Sequence, residues 1–158
     1  MISKFINLKG FRNIKISNKT RNNLNKLLKP KSEILKSLSS EYINSYDSQK
    51  LNDRFNKKND IRIIGMGGSI IGAKAIYDIL KKNIKKNFYF IDNLYPELKI
   101  DKKKKYLNLI ISKSGSTLET ISNFNILLKK KDENIFITEN KNNYLKKLAL
   151  SLKSEIIH

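Results

Sequence analysis

The hydrophobic pattern of the chain changes character near residue 60. From there onward, short apolar runs typical of strands alternate with segments whose apolar residues recur at helical spacing. The runs are residues 61–64, 88–91, 107–111, 135–137 and 156–157, and the helical segments are residues 70–80, 118–128 and 144–152. Strands that alternate with helices form a parallel sheet covered on both faces. The sequence therefore predicts an α/β domain over residues 60–158.

Residues 1–59 have a more polar and mostly helical pattern. Apolar residues recur at helical spacing in residues 20–29 and 32–46, and Leu51 and Phe55 continue a third such segment. Residues 11–16 have the pattern of a short strand. Stripes of this kind are usually packing faces, so we predict a mostly helical N-terminal extension and assign it no chemistry.

Length and composition limit the classes of protein to which this chain can belong. A chain of 158 residues suits one compact domain with a small extension. The absence of cysteine excludes disulfides and thiolate metal sites, and it fits a reducing compartment. No signal peptide and no run long enough to span a membrane is present in the sequence. We therefore expect a cytoplasmic protein without a membrane partner.

The net charge of +19, from 33 Lys and Arg against 14 Asp and Glu, raises the question of a nucleic-acid partner. The basic residues are mostly lysines scattered among Asn and Ile along the whole chain. The lysine runs at residues 102–105 and 129–131 have no interleaved aromatic residues of the kind that stack on bases. We therefore expect a solvated basic surface and no nucleic-acid partner.

Two loops rich in small and hydroxyl residues carry the candidate chemistry. The first is Gly-Met-Gly-Gly-Ser at residues 65–69, and the second is Ser-Lys-Ser-Gly-Ser-Thr at residues 112–117. Each follows a predicted strand and opens a predicted helix, where backbone N–H groups lack internal partners and the helix dipole is positive. Two such loops in one parallel sheet predict a single anionic ligand at the carboxyl ends of the strands.

The first loop departs from the common nucleotide motifs. A dinucleotide fingerprint requires Gly or Ala where Ile70 stands, although Asp92 lies at the distance of a ribose-binding acid. Gly67 and Gly72 have P-loop spacing, but the Lys and Ser/Thr that should follow are Ala and Lys. These departures weaken the case for a nucleotide site at the first loop, which stays an alternative.

In the first loop, we expect Gly67 and Gly68 to let a ligand approach the backbone closely, because glycine has no side chain. Ser69 is expected to cap the helix and to offer a hydroxyl. The alternative is a tight strand-to-helix turn without a ligand.

The second loop is more specific. Ser116 and Glu119 have the spacing of a capping box, which explains both residues without a ligand and favours a cap over a general base at Glu119. Lys113 either attracts an anion over a distance or points to solvent. Three further hydroxyl residues are not accounted for by the cap, and they can surround a tetrahedral anion: Ser112, Ser114 and Thr117.

Together these segments resemble the glucose-6-phosphate isomerase family. The resemblance rests on residues 65–72, 91–93, 112–120 and 136–140, and it extends from about residue 60 to residue 158. The order and spacing of these blocks are those of the sugar isomerase (SIS) domain. The resemblance implies a five-stranded parallel sheet flanked by helices.

The resemblance also implies a function. It implies interconversion of glucose 6-phosphate and fructose 6-phosphate without a metal or organic cofactor, and a homodimer at full length. The residues implied to bind the sugar phosphate are Ser112, Lys113 (through its backbone), Ser114 and Thr117, with Gly68 and Ser69 at the sugar end.

One departure from the family is as informative as the match. The family carries a second SIS domain with a Gly-Gly-Arg segment, a general-base Glu, a ring-opening His and a C-terminal Lys, and the sequence contains none of these motifs. His158 matches no catalytic position. The resemblance implies that residues 60–158 are the first of two SIS domains, ending before the Gly-Gly-Arg segment, with no catalytic residue and no activity of their own.

Three alternatives remain at this point. A non-catalytic SIS module that senses a phosphosugar would use the same loops. A nucleotide-binding domain would rest on Asp92 and the first loop. A basic nucleic-acid binder is the third, and it predicts steeply salt-dependent binding.

Overall fold

The computed structural model describes residues 17–28, 42–43, 46–94, 101 and 103–158. The chain divides into two compact units, Met1–Ile43 and Asn44–His158. The first unit contains helix α1 (Asn18–Leu28), which agrees with the helix predicted at 20–29. The predicted strand at 11–16 and most of the predicted helix at 32–46 lie outside the described residues. The described part of that helix, Tyr42, Ile43 and Tyr46, is not helical.

The second unit is built on a five-stranded parallel sheet, as the sequence predicted. The strand order is β2-β1-β3-β4-β5, and every neighbouring pair is parallel. The strands are β1 (Asp60–Gly65), β2 (Asn87–Ile91), β3 (Leu107–Ile111), β4 (Glu133–Ile137) and β5 (Glu155–Ile157). Each predicted apolar run lies within one of these strands, because an apolar run of this length is buried on both faces of a parallel sheet.

In the described part of the second unit, four helices accompany the sheet. They are α2 (Ser48–Asn56), α3 (Gly68–Leu80), α4 (Leu118–Leu127) and α5 (Tyr144–Ser151), and a 3-10 turn (Lys81–Asn83) follows α3. The sequence placed α2 in the N-terminal extension. In the structure, Leu51 and Phe55 of α2 pack against the buried cluster of Ile61, Leu107 and Ile135. Helix α2 is therefore part of the unit that contains the sheet.

A second buried cluster forms with the inner sides of α4 and α5. Its members are Ile64, Ile110, Phe124, Leu127, Phe136, Leu145 and Ala149. The rings of Phe124 and Phe136 meet edge to face, with centroids 5.2 Å apart. This packing holds α4 and α5 on the sheet and thereby fixes the loops that precede them.

Helix α3 differs from the amphipathic helix that the sequence predicted. Its inner side buries Ile70 and packs Tyr77 on Phe88 and Phe90, but Ile71, Ile76 and Ile79 are more than half exposed. The outer side of α3 is therefore apolar. Among the described residues, no helix is both long and apolar enough to cross a membrane.

Candidate functional site

The register of the sheet brings the candidate loops together. Gly65 at the end of β1 pairs with Ile111 at the end of β3, and Ile111 pairs with Ile137 at the end of β4. The segments that follow these three residues therefore start side by side. We call this end of the sheet, with its loops, the carboxyl edge.

The first loop forms a tight turn into α3. Gly67 has a φ of 54°, which favours glycine, and it precedes the helix without any side-chain cap. A Cβ at Gly65 would lie 3.1 Å from the carbonyl oxygen of Ile111, so glycine permits the close approach of the two strand ends. A Cβ at Gly68 would meet nothing within 4 Å. Packing within the chain therefore does not require glycine at position 68, and the space beside its backbone is open to a ligand.

The expectation that Ser69 caps α3 is wrong. The helix begins at Gly68 with Gly67 as its N-cap, so Ser69 is already the second helical residue. The positive φ of Gly67 turns the chain into the helix earlier than a Ser69 cap would allow. Ser69 nevertheless lies at the carboxyl edge, where it lines a cavity described below.

The second loop is organised by its own hydroxyl groups. The Ser112 hydroxyl is buried, lies 2.9 Å from the Thr117 hydroxyl and accepts a hydrogen bond from the Gly115 N–H at 3.2 Å. The exposed Ser114 hydroxyl accepts hydrogen bonds from the N–H and hydroxyl of Ser116. The structure thus places the hydroxyls in two pairs: Ser112 with Thr117, buried deeper, and Ser114 with Ser116, open to solvent.

The predicted capping box of Ser116 and Glu119 is also wrong. Helix α4 begins at Leu118, its N-cap is Thr117, and no side chain makes a capping hydrogen bond. The hydroxyl pairs within the loop shift the start of the helix by one residue. The N3 position is then Thr120, so Glu119 does not have the spacing that a capping box requires.

A cavity of about 250 Å³ connects the two loops. It is lined by Ser69, Ile111, Lys113, Ile137, Thr138, Glu139 and His158. The sequence predicted no chemical role for His158, but its Nδ1 lies 3.1 Å from the carbonyl oxygen of Thr138 and its ring reaches this cavity. Ser69 and Lys113, which the sequence assigned to one ligand from two separate loops, line the same space.

The charges at this cavity are few and close to solvent. Lys113 is 79% exposed and lies 3.5 Å from Glu139, which also pairs with Lys141 at 2.8 Å. The hydrogen bond from Lys141, together with the charges of both lysines, lowers the pKa of Glu139 from its usual value of 4.5. Glu139 is therefore ionised at neutral pH, and the two lysines balance its charge.

The segment between β4 and α5 holds the second loop in place. Thr138 donates a hydrogen bond to the carbonyl of Lys113 at 3.3 Å, and the N–H of Glu139 donates to the same carbonyl at 3.1 Å. Asn143 caps α5 by accepting from the Lys146 N–H, and its amide group donates to the Thr138 hydroxyl at 3.0 Å. Sequence reasoning assigned no role to Thr138 or Asn143. The polar residues that directly follow a third strand were the available signal.

Two features that suggested other ligands are engaged within the protein. Asp92, the candidate ribose-binding acid, pairs with Lys74 at 2.9 Å. In the lysine runs, Lys104 binds Asp60, and the Nζ groups of Lys129 and Lys131 donate to backbone carbonyls. These contacts account for Asp92 and the three lysines without a nucleotide or a nucleic acid. Within the described ranges, no group of three or more potential ligands is placed to hold a metal ion.

Comparison with known proteins supports the resemblance inferred from the motifs. The chain is 47% identical over 81 residues to glucose-6-phosphate isomerase of Methanocaldococcus jannaschii, covering 48% of this chain and 20% of that protein. It is 40% identical over 86 residues to the enzyme of Borrelia garinii subsp. bavariensis, covering 45% of this chain and 16% of that protein. It is 38% identical over 87 residues to the enzyme of Campylobacter jejuni, covering 51% of this chain and 21% of that protein. The chain thus spans about a fifth of the length of these relatives.

A solved structure supports the fold. A hypothetical protein from Thermus thermophilus superposes with a TM-score of 0.58 and 23% identity, covering 68% of this chain and 29% of that one. No protein-family model matches the sequence. The resemblance to glucose-6-phosphate isomerases that the two loops predicted is therefore confirmed over about half of this chain.

Proposed function

We propose that this chain supplies the sugar-phosphate-binding part of a glucose-6-phosphate isomerase. The observation that carries the proposal is the meeting of the two loops at one cavity, in a chain 47% identical to a glucose-6-phosphate isomerase over 81 residues. The reaction interconverts glucose 6-phosphate and fructose 6-phosphate.

The phosphate is proposed to bind at the second loop, at the start of α4. Backbone N–H groups at a helix N-terminus and nearby hydroxyls can surround a tetrahedral anion without a fixed positive charge. Ser114 is exposed and can turn its hydroxyl to an incoming phosphate oxygen. Ser112 is buried, so its contribution is to hold Thr117 and the Gly115 N–H in place. Lys113 contributes its backbone and a long-range attraction.

The sugar is proposed to extend from the phosphate toward the first loop. The open space beside Gly68 admits a close approach to the backbone, and Ser69 lines the shared cavity. Anchoring the phosphate positions the reacting carbons, because binding energy from a part of the substrate that does not react can orient the part that does.

Binding of inorganic phosphate and of fructose 6-phosphate to the purified chain tests this proposal directly. We expect both to bind, and we expect Ser114→Ala to weaken both. Ser151→Ala is the matched control, because Ser151 ends α5 near the start of β5, at the opposite end of the sheet, and this variant should bind like the wild type. Absence of binding to the wild-type chain would contradict the proposal.

The proton transfer is proposed to need residues outside this chain. The matched segment is only 16% to 20% of the length of the first two relatives, which leaves ample sequence for a second SIS domain with a base. A coupled assay of residues 1–158 should therefore show no turnover approaching about 1 s⁻¹, the low end of ordinary enzymes. Faster turnover would direct attention to Glu119 and Glu139 as bases in this chain.

We further propose that the full-length protein is a homodimeric, cytoplasmic enzyme. A longer protein that binds fructose 6-phosphate without isomerising it would instead favour a phosphosugar-sensing module. The assay of the longer gene product therefore distinguishes the two functions.

A further inference from the structure

The hydrogen bonds between the second loop and the β4–α5 segment point to a function beyond packing. We infer that Thr138 and Asn143 are positioning residues that set the direction of the anion-binding N–H groups in the second loop. This inference rests on the proposed function, since it concerns how the same phosphate site is built.

The peptide between Lys113 and Ser114 is held through its carbonyl group. Its carbonyl oxygen accepts two hydrogen bonds, from the Thr138 hydroxyl at 3.3 Å and from the Glu139 N–H at 3.1 Å. In a planar trans peptide the carbonyl and the N–H point in opposite directions. Holding the Lys113 carbonyl toward the end of β4 therefore directs the Ser114 N–H away from it.

The peptide between Gly115 and Ser116 is also held through its carbonyl group. The carbonyl of Gly115 accepts a hydrogen bond from the Leu145 N–H in the first turn of α5, at 3.0 Å. The Ser116 N–H is thereby turned away from α5, and it meets the Ser114 hydroxyl at 3.3 Å. Two alternate peptides of the loop thus have their carbonyls held by the β4–α5 segment and their N–H groups directed away from it.

Asn143 also packs closely against the loop. The Asn143 amide lies directly on Gly115, where an added Cβ would be 2.1 Å from its Oδ1 and 2.2 Å from its Cγ. Gly115 is buried and has a φ of 65°, so both space and backbone conformation require glycine there. The amide of Asn143 then donates to the Thr138 hydroxyl, which donates onward to the Lys113 carbonyl.

These hydrogen bonds connect Asn143, the N-cap of α5, to the loop through uncharged groups. Thr138 is 4% exposed, so the hydroxyl bridge is shielded from competing water. An anion site made of N–H groups depends on their direction, because it has no mobile charged side chain that can adjust. The bridge therefore contributes to affinity even though neither Thr138 nor Asn143 is among the residues proposed to bind the phosphate.

The test uses Thr138→Val, which keeps the shape of the side chain and removes the bridging hydroxyl. Thr138→Ser is the conservative variant, because it keeps the hydroxyl and removes only a methyl group. We expect Thr138→Val to weaken binding of inorganic phosphate and fructose 6-phosphate by about tenfold, and Thr138→Ser to restore binding to within about threefold of wild type. The amide NMR shift of Ser114 should move in Thr138→Val and return in Thr138→Ser.

Asn143→Ser provides a second route to the same result. Serine caps helices about as well as asparagine, so α5 keeps its cap while the amide donor to Thr138 is lost. Weaker phosphate binding with an unchanged thermal midpoint would support the positioning function. Binding of Thr138→Val and Asn143→Ser within about twofold of wild type, with an unmoved Ser114 amide, would overturn it. Absence of binding to the wild-type chain would instead overturn the proposed function, and this inference with it.

Discussion

At the starts of the strands, which we call the amino edge, charged side chains pair with one another, whereas the carboxyl edge combines charged pairs such as Lys113 and Glu139 with the hydroxyl pairs of the second loop. At the amino edge, Asp60 accepts from Lys104 at 3.0 Å, and Arg54 binds both Glu133 and Glu155. At the carboxyl edge, the loop at residues 112–117 contains one charged residue, and that residue is largely exposed. The charges at the amino edge balance within the fold, while the second loop at the carboxyl edge is held by its own hydroxyls and by hydrogen bonds from the β4–α5 segment.

Among the residues that the structure describes, the positions with positive φ also differ between the two edges. The two at the carboxyl edge, Gly67 and Gly115, are glycines, and the one toward the amino edge is Lys153. Two hydrogen bonds at the end of α5 stabilise the left-handed conformation of Lys153. The N–H of Ser154 donates to the carbonyl of Ala149, and the N–H of Lys153 donates to the carbonyl of Leu150. Gly115 has no such freedom, because Asn143 fills the space where a side chain would lie.

The largest expected effect comes from the buried charge on β1. Arg62 is 4% exposed, stacks on the ring of Tyr106 at 3.5 Å and lies 3.6 Å from the buried carboxylate of Asp132. Arg62→Met would leave that carboxylate without its cation, and we expect a loss of about 3–5 kcal/mol in unfolding free energy. Urea unfolding at pH 7 measures it.

The double variant Arg62→Met/Asp132→Asn is the control for this prediction. It removes both charges and keeps an oxygen that can accept from the Tyr106 N–H, so it should recover part of the loss. A loss below about 1 kcal/mol for Arg62→Met alone would show that this pair does not stabilise the fold.

The next largest effect tests the carboxyl edge. Gly115→Ala would place a Cβ against Asn143 at a φ of 65°, and we expect a loss of about 2–4 kcal/mol from backbone strain and overpacking. Thermal and urea unfolding measure this loss.

Gly68→Ala is the matched variant in the other loop, where a Cβ meets nothing within 4 Å. Its stability should stay within about 0.5 kcal/mol of wild type, while its affinity for fructose 6-phosphate falls because the methyl group occupies the space of the ligand. Equal stability of Gly115→Ala and Gly68→Ala would contradict the contrast between the two loops.

Acid should weaken the amino edge through its carboxylates. Burial raises the pKa of Glu133, but hydrogen bonds from Lys58 and Arg54 outweigh it and hold the pKa below the usual 4.5. Burial likewise raises the pKa of Asp60, and hydrogen bonds from Lys104, Asn87 and Tyr89 bring it below 3.8. Groups with a lowered folded pKa stabilise the fold fully above the unfolded pKa and lose that contribution as the pH falls through the folded one.

We therefore expect unfolding free energy to decline as the pH falls below about 4.5, with a shallower decline in Glu133→Gln. Urea unfolding between pH 7 and pH 3 measures both slopes. An equally steep decline in Glu133→Gln would show that this carboxylate does not contribute.

The smallest effect is a gain in stability. Lys153→Gly removes the cost of a left-handed conformation and should raise the unfolding free energy by about 1 kcal/mol. Lys153→Ala keeps the Cβ and should show no gain, so the comparison of the two thermal midpoints isolates the backbone contribution. A similar rise in both variants would assign the effect to the lost charge instead.

The sequence by itself determined which segments of residues 60–158 form strands and helices, and it located the two candidate loops. Strands such as Leu107–Ile111 could be located because their apolar runs are buried whatever the neighbouring strand is. The loops could be located because glycine and hydroxyl residues between a strand and a helix favour a tight turn with free N–H groups. The place of Ser69 and the start of α4 were misjudged, since local capping rules cannot include the hydroxyl pairs and the turn at Gly67.

Only the tertiary structure decided how the second loop is held. Lys113 and Thr138 are 25 residues apart in the chain, and α4 and β4 lie between Gly115 and the Asn143 that contacts it. Nothing in the local pattern of either segment indicates the other, because these contacts depend on the parallel register that aligns Ile111 with Ile137. The sequence alone predicted candidate anion-binding residues, and the packing of β4 and α5 against the loop holds the carbonyls of Lys113 and Gly115.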